Sequence, residues 1–143
     1  MKALSTSLFW LLSFTWGLPL TLIGLLCSSV LLITGHKPKR FHHFLYFEVG
    51  EDWGGLEGGC FFVVCKDASL FLKQHEAGHG LVNIILGPFS LLLITLPSCI
   101  RYWYRDYVVS MGEKTRAELP PYYSIWFERW PSNLGAKYYP GNQ

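Results

Sequence analysis

The chain has 143 residues, enough for one domain, and half of them are hydrophobic, with an unusually high aromatic share of 17%. Charged residues make up only 15%, and the formal net charge of +2 is too small to indicate binding to nucleic acid. Four cysteines are scattered along the chain without a C-x-x-C pair, so neither a disulfide framework nor a cysteine-zinc site is indicated. This composition is typical of a membrane protein.

The amino-terminal segment has the character of a membrane span. Residues 3 to 34 carry no charge, and the run from Leu8 to Ile33 is long enough to cross a hydrocarbon core of about 30 Å as a helix. A cleaved signal peptide is the rival interpretation, but the run is too long and no small-x-small cleavage site closes it. Gly17 and Pro19 lie inside the run, where they can kink or thin a helix for packing.

A basic cluster, H-K-P-K-R, follows this span at residues 36 to 40, whereas only Lys2 and the amino terminus precede it. The positive-inside rule therefore places residue 35 onward in the cytoplasm. His42 and His43 come next and invite a metal interpretation. Adjacent residues of a strand point to opposite faces, however, so we interpret both as ordinary interfacial residues.

Two strand-like runs come next in the chain. Residues 44–49 (F-L-Y-F-E-V) and 60–65 (C-F-F-V-V-C) are aromatic and β-branched, and the ten residues between them are rich in glycine. The pattern predicts a β-hairpin with a long loop, ending just before the next helix.

The sequence His75-Glu76-Ala77-Gly78-His79 is an H-E-x-x-H motif. On a helix it puts two imidazoles four residues apart on one face, where both can bind a single zinc ion. The glutamate then lies beside the metal, and in metallopeptidases it takes a proton from the water that the metal activates. The β-hairpin before this helix has two interpretations: it pairs with extended peptide substrate through its edge, or it only packs over the helix.

The apolar run at residues 81–100 is interrupted at Gly87-Pro88 and again at Pro97. Either residues 70–107 cross the membrane as one kinked helix, or the chain turns at Gly87-Pro88 and forms a helical hairpin that enters the bilayer and returns. The aromatic residues and arginines at 100–106 are typical of the headgroup region. Only the hairpin lets the carboxyl-terminal third reach the two histidines.

A catalytic zinc normally takes three protein ligands and leaves one position to water, so a third ligand is required. A short helix predicted at residues 122–130, ended by Pro131, presents Glu128 among aromatic residues. A carboxylate in such surroundings needs a metal or an arginine partner, for example Arg101 or Arg129. Spacing alone does not choose among the acidic residues Glu48, Glu51, Asp52, Glu57, Asp106, Glu113, Glu118 and Glu128.

Three segments in order carry a resemblance to a family: H-E-A-G-H-G-L-V-N-I-I-L-G-P, L-P-S-C-I-R-Y-W-Y-R and Y-Y-S-I-W-F-E-R-W-P-S-N-L-G. They resemble a group of small bacterial integral-membrane proteins with an H-E-x-G-H helix, a Gly-Pro break, a P-S-x-I-R-x-x-Y segment and a terminal E-K-W-A-D-x-L-G-G motif. The match covers about residues 50 to 135, and the motif set is similar to that of gluzincin-type zinc metallopeptidases. The resemblance implies zinc ligands at His75, His79 and Glu128, with Glu76 as general base, in a bacterial inner membrane.

The chain departs from this family pattern at one position. The family has an aspartate four residues after the ligand glutamate, where gluzincins use it to orient a ligand histidine through a hydrogen bond, and here the residue is Ser132. A serine accepts a hydrogen bond but carries no charge, so zinc affinity or rate is reduced, or another acid substitutes. Tyr122, Tyr123 and His43 are candidates for stabilising the oxyanion, on residue type alone.

We therefore predict a mainly α-helical membrane protein with two parts: a transmembrane helix in residues 1–35 and a membrane-associated, metallopeptidase-like domain in residues 36–143. The second part comprises the β-hairpin, the H-E-x-x-H helix with its Gly-Pro-broken helical hairpin, and a short carboxyl-terminal helix. Its expected function is zinc-dependent hydrolysis of peptides or membrane-protein segments near the membrane surface. The alternative is a non-catalytic membrane interaction protein, with structural zinc or no metal.

Overall fold

The computed structural model describes residues 4–141 and shows a mainly helical chain with one small sheet. This confirms the predicted balance of helix and strand. The helices are α1 (Thr6–Ser13), α2 (Leu18–Ile33), α3 (Leu70–Leu86), a π-helical segment (Leu91–Thr95), α4 (Leu96–Ser110) and α5 (Trp126–Tyr138), with short 3₁₀ turns at Arg116–Glu118 and Tyr122–Ser124. The strands are β1 (Lys39–Phe41), β2 (Phe44–Glu48), β3 (Gly55–Gly58) and β4 (Phe61–Val64).

The amino-terminal apolar segment is bent. We predicted one spanning helix that Gly17 and Pro19 could kink, and the segment instead forms two helices, α1 and α2, which meet at 101°. Pro19 stands in the first turn of α2, the position where a proline suits a helix start. Asn83 of α3 donates a hydrogen bond of 3.2 Å to the Gly17 carbonyl at the break. Within residues 4–141 no helix is by itself long and apolar enough to cross a membrane, whereas α1 and α2 together meet that test of length and composition.

The amino-terminal helices share a core with the sheet. Phe9 of α1 is fully buried, and its ring packs on Phe44 of β2 and stacks on the ring of His43. Thr6 forms a 2.8 Å hydrogen bond with Nδ1 of the same histidine. Residues before position 36 therefore contribute directly to the core of the part that follows.

The sheet has the order β1-β2-β4-β3, and its central pair is parallel, with Leu45 opposite Phe61 and Glu48 opposite Val64. The prediction that residues 44–49 and 60–65 form a β-hairpin is therefore wrong. Their connection is long enough to contain a strand of its own, β3, which pairs antiparallel with β4 through a tight turn at Gly59, where φ is 70°. One of the two edge strands of the sheet is consequently β3, inside the segment that we predicted to be a loop.

The chain turns at Gly87-Pro88, as the helical-hairpin arrangement requires. Helix α3 ends at Leu86, and Gly87 adopts φ 60° and ψ −132°, a conformation that glycine tolerates best. The chain then returns, so that Ser98 of α4 contacts Glu128 of α5. The alternative of one kinked helix over residues 70–107 is wrong. Pro97 does not break the return segment, since it lies in the first turn of α4 directly after the π-helical segment.

Helix α5 packs along α3 so closely that the two helix backbones are in contact. A Cβ added at Gly78 would overlap the carbonyl oxygen of Pro131, and one added at Gly135 would overlap that of Gln74. We predicted that Pro131 ends this helix, which is wrong, because α5 continues to Tyr138. The proline removes one hydrogen bond from the helix, and the close packing on α3 stabilises the helix across the gap.

Candidate metal centre

Helix α3 presents its polar residues to the interior of the protein. The hydroxyl of Ser69 caps the helix by accepting a hydrogen bond of 3.2 Å from the Leu72 amide. One and two turns further on, His75, Glu76 and His79 are all buried. Buried charged or titratable residues are rare unless they are paired or bind a metal, so this helix face requires an explanation.

Glu128, in the first turn of α5, supplies the third group. Its carboxylate is 0% exposed, and Oε2 lies 3.0 Å from Nε2 of His75 and 3.4 Å from Nε2 of His79. The two Nε2 atoms are 3.1 Å apart. Metal bonds of about 2.0–2.1 Å at tetrahedral angles separate two ligand atoms by about 3.3 Å. The three atoms thus have the spacing of three ligands on one ion, and they form a group able to hold a metal.

Ser132 orients the first of these histidines. Its hydroxyl donates to the carbonyl oxygen of Glu128 at 2.9 Å and lies 2.6 Å from Nδ1 of His75. Because the hydroxyl has only one hydrogen, it accepts from Nδ1–H, and Nε2 is left with its lone pair directed at the metal position. The serine therefore makes the hydrogen bond that an aspartate makes in gluzincins, the class that the motifs resemble, but without the charge of a carboxylate.

Glu128 is held in its ionised form. Burial alone raises the pKa of this carboxyl group, but contacts with the imidazoles of His75 and His79 and a hydrogen bond from Ser98 outweigh burial and bring the pKa to about 2. Ser98 donates to Oε1, which leaves Oε2 for a metal. Sequence reasoning missed Ser98, whose only signal was its place in the P-S-x-I-R segment.

Glu76 lies beside the three ligand atoms, against the edge strand. Its carboxylate contacts Gly55 so closely that a Cβ added there would lie 2.7 Å from Oε1. Burial raises the pKa of Glu76 to about 7, although the electrostatic interaction with His75 acts in the opposite direction. A divalent cation bound nearby would lower this pKa again. A general base works best with a pKa near the working pH, so Glu76 suits the role predicted for it.

A cavity of about 460 Å³ opens beside the ligand group. This volume is within the range of sites that bind small ligands or a few residues of peptide. Its walls include His75, Glu76 and His79 of α3, Thr95, Ser98, Cys99 and Tyr102 around the start of α4, Gly55, Leu56 and Glu57 of β3, and Tyr122 and Tyr123.

Two of the three oxyanion candidates reach this cavity. The ring of Tyr123 lies 4.7 Å from that of His75, and burial raises the pKa of its hydroxyl to about 12, so the hydroxyl stays protonated and able to donate. Tyr122 also lines the cavity. His43 does not, because it packs against Phe9 and α1, and its proposed role is wrong.

Most of the other acidic candidates for the third ligand have another partner or are exposed, although Asp106 also lines the cavity. Glu48 forms an ion pair of 2.7 Å with Lys39, Asp106 forms one of 2.8 Å with Arg116, Glu118 accepts from the Thr115 amide, and Glu51, Asp52 and Glu113 are exposed. Neither of the two arginines that we considered as partners of Glu128 pairs with it. Arg101 donates to the Pro121 carbonyl at 3.1 Å, and Arg129 is exposed. The one remaining acidic candidate, Glu57, is buried and lines the cavity.

Comparisons with known proteins do not place the chain in a family. No family model matches it, and neither a curated protein nor a solved structure does so. The resemblance to gluzincin-type membrane proteins therefore stays a prediction. The functional argument rests on the motif, the geometry of His75, His79 and Glu128, and the cavity beside Glu76.

Proposed function

We propose that the protein is a membrane-bound, zinc-dependent peptidase, related to small bacterial inner-membrane proteins of the gluzincin type. The observation that carries the proposal is the convergence of Nε2 of His75, Nε2 of His79 and Oε2 of Glu128 at the wall of a cavity. Structural zinc sites are closed by four protein ligands, whereas catalytic sites have three and an open position. Three ligands beside an open cavity favour the peptidase over the non-catalytic alternative.

The donor set also favours zinc. Two imidazole nitrogens and one carboxylate oxygen are the ligands of many catalytic zinc sites, while magnesium and calcium prefer oxygen ligands alone. When bound, the ion supplies a Lewis acid and a water molecule of lowered pKa. The hydrogen bonds that Ser132 and Ser98 make with His75 and Glu128 hold two of the three ligands in place.

The remaining groups of the site have defined tasks. Glu76 takes a proton from the attacking water and passes it to the amine that leaves. The hydroxyl of Tyr123 donates to the carbonyl oxygen that gains negative charge. The edge strand β3 offers backbone N–H and C=O groups for pairing with an extended peptide, since residues 54–57 line the cavity.

The outer surface supports a location at the membrane. Large apolar side chains of α2 and of the segment from Phe89 through α4 face outward, among them Leu26, Ile33, Phe89, Leu92, Leu93 and Ile100. A surface of this size and apolarity fits lipid better than water. We place α1 and α2 in the bilayer and, from the basic residues that follow them, the metal centre on the cytoplasmic side. Substrates are then peptides or membrane-protein segments at the lipid surface.

The test compares purified wild-type protein with Glu76→Gln for zinc content and for hydrolysis of a fluorogenic peptide mixture. We expect about one zinc per chain in both proteins, and hydrolysis reduced at least about 100-fold in the variant, since general acid–base groups contribute about 10²–10⁴-fold. Glu51→Gln, a change of an exposed glutamate, is the matched control and should keep full activity. Wild-type protein that binds no zinc, or a Glu76 variant that still hydrolyses peptides, contradicts the proposal.

A further inference from the structure

Glu57 of β3 is a buried carboxylate to which the proposed peptidase mechanism gives no task. It is only 6% exposed, and one of its oxygens accepts a hydrogen bond from the Gly59 amide. Within the part of the chain that the structure describes, no lysine, arginine or histidine forms an ion pair with it. Burying a carboxylate without a compensating cation is costly, so this group requires a function or a partner.

The side chain faces the metal centre. Alternate residues of a strand share one face, so Glu57 is on the side of Gly55, whose backbone contacts the carboxylate of Glu76. Two residues along a strand correspond to about 6.6 Å. Glu57 lines the same cavity as Glu76, and burial, followed by the charge of Glu76, raises the pKa of Glu57 well above its ordinary value.

Glu57 also marks the end of the cavity along β3. Residues 53–57 line it, but the next two residues of the chain do not. Gly58 is in backbone contact with Gly24 of α2, and Gly59 is packed against Thr21 of the same helix. An extended peptide that pairs with β3 therefore meets a closed end at Glu57, about two residues from the point where Glu76 acts.

Among the residues that the structure describes, one buried carboxyl group at the cavity has no ionic partner. Of the three buried glutamates there, Glu128 is a candidate metal ligand and Glu76 is the proposed base, which leaves Glu57. The two arginines at the cavity wall contact other groups: Arg105 donates to the Pro120 carbonyl and Arg116 pairs with Asp106. A cationic group of a bound ligand could therefore pair with Glu57.

We infer that Glu57 binds the free α-ammonium group of a peptide substrate. Since the carboxylate lies about two strand residues from Gly55 and Glu76, the protein removes one or two residues from the amino terminus of a chain rather than cleaving internal bonds. A carboxylate at a closed end selects free amino termini, because an acetylated or continuing chain brings no cation to pair with it and leaves the charge buried. This inference rests on the proposed peptidase function.

A binding experiment tests the inference separately from catalysis. The probes are phenylalanine amide, which has a free ammonium group, and N-acetyl-phenylalanine amide, which does not. Both are titrated calorimetrically into zinc-loaded full-length protein in detergent micelles. The proteins are wild type, Glu57→Gln, which keeps the acceptor for the Gly59 amide, and Glu51→Gln as the matched control on an exposed glutamate of the preceding loop.

We expect the wild type and Glu51→Gln to bind the free amine at least tenfold more tightly than the acetylated probe, and Glu57→Gln to lose most of that preference. Equal binding of the two probes by wild type, or an unchanged preference in Glu57→Gln, overturns the inference. Parallel hydrolysis assays separate the two proposals. If the protein hydrolyses peptides without preference for free amino termini, the peptidase proposal stands and the amine site is refuted. If it binds the free amine selectively but hydrolyses no peptide, the amine site stands and the peptidase proposal is refuted.

Discussion

The interface between α3 and α5 and the outer surface of α2 and α4 are built from opposite kinds of residue. At the interface lie histidines, glutamates and a serine, all buried, between helices whose backbones touch at Gly78 and Gly135. On the outer surface lie leucines and isoleucines. The usual distribution of a water-soluble protein is thus reversed on these helices. The proposed function assigns the apolar outer surface to contact with lipid and the polar interior to the chemistry.

The two regions should also differ in their tolerance of change. At the interface the position of each ligand depends on the helix separation and on single hydrogen bonds, so small substitutions should act on metal binding. On the outer surface each apolar residue contributes to a large area, so a substitution there should act on membrane binding and leave the metal centre intact.

Removal of a metal ligand has the largest expected effect. Glu128→Ala takes away the only carboxylate among the three converging groups. It should lower zinc affinity by more than about 100-fold, because mutating a residue that only hydrogen-bonds to a ligand already lowers metal affinity by about 10–100-fold. Competition with a chelator of known affinity measures the change. Glu113→Ala, at an exposed position, is the control, and an affinity within threefold of wild type for Glu128→Ala would exclude this residue as a ligand.

Loss of the serine hydroxyl should come next. Ser132→Ala removes the acceptor for Nδ1–H of His75 and should reduce zinc affinity by about 10–100-fold. Ser132→Asp introduces the aspartate of the pattern that the sequence resembles, and this variant should bind zinc at least as tightly as wild type. The same chelator competition tests both variants. If Ser132→Ala binds zinc like wild type, the serine does not orient the histidine.

The third test moves the helices apart. Gly78→Ala gains about 0.5–1 kcal/mol in helix propensity, but its Cβ overlaps the Pro131 carbonyl, and overpacking costs about 1–3 kcal/mol. We expect a lower melting temperature and about tenfold weaker zinc binding. Gly54→Ala adds a methyl group where the nearest atom is 4.0 Å away, and its zinc content should not change. Wild-type zinc affinity in Gly78→Ala would show that the ligand geometry does not depend on helix contact.

The fourth test acts on the outer surface. Leu92→Glu places a charge on an exposed apolar position outside the cavity wall. A charge in the hydrocarbon region costs about 2.5–3.5 kcal/mol, so flotation with lipid vesicles should fall severalfold while zinc affinity stays within twofold of wild type. Leu92→Ile is the matched control. A Glu variant with weakened zinc binding and unchanged flotation would reverse the assignment of the two regions.

The smallest expected effect concerns Glu57 and pH. Burial raises the pKa of Glu57 in the folded state well above 4.5, so the unfolded chain ionises more readily and the residue destabilises the ligand-free fold above about pH 4.5. Glu57→Gln should therefore raise the melting temperature by a few degrees at pH 8 and by much less at pH 5. Thermal unfolding at the two values measures this difference. A gain that is equal at both, or larger at pH 5, would contradict the raised pKa.

Features that depend on local sequence were predictable. The helical spacing of His75 and His79 placed both on one face of α3, and Gly87-Pro88 marked the turn. Features that depend on distant contacts were not. The parallel pairing of β2 with β4 and the strand inside the glycine-rich segment follow from sheet packing. No local pattern reports such pairing.

The candidate site shows the same division. The motif indicated His75 and His79, but for Glu128 the residues offered only its aromatic surroundings and the family resemblance, because eight acidic residues had no distinguishing spacing. Proline rules predicted a helix end at Pro131, whereas contact with Gly78 stabilises the helix beyond it and brings Ser132 behind the ligands. Glu57 faces the cavity because of the register in which β3 pairs with β4. The sequence pattern predicted a loop here and therefore gave no register.

The most direct test of the metal centre is X-ray absorption at the zinc edge on the purified, zinc-loaded protein. The geometry of His75, His79 and Glu128 predicts two imidazole nitrogens and carboxylate oxygen at about 2.0–2.2 Å, with one further light ligand from water and no sulfur. Glu128→Ala should lose the protein oxygen. A sulfur contribution near 2.3 Å would contradict this account, because Cys99 lines the same cavity and would then be the ligand in place of Glu128.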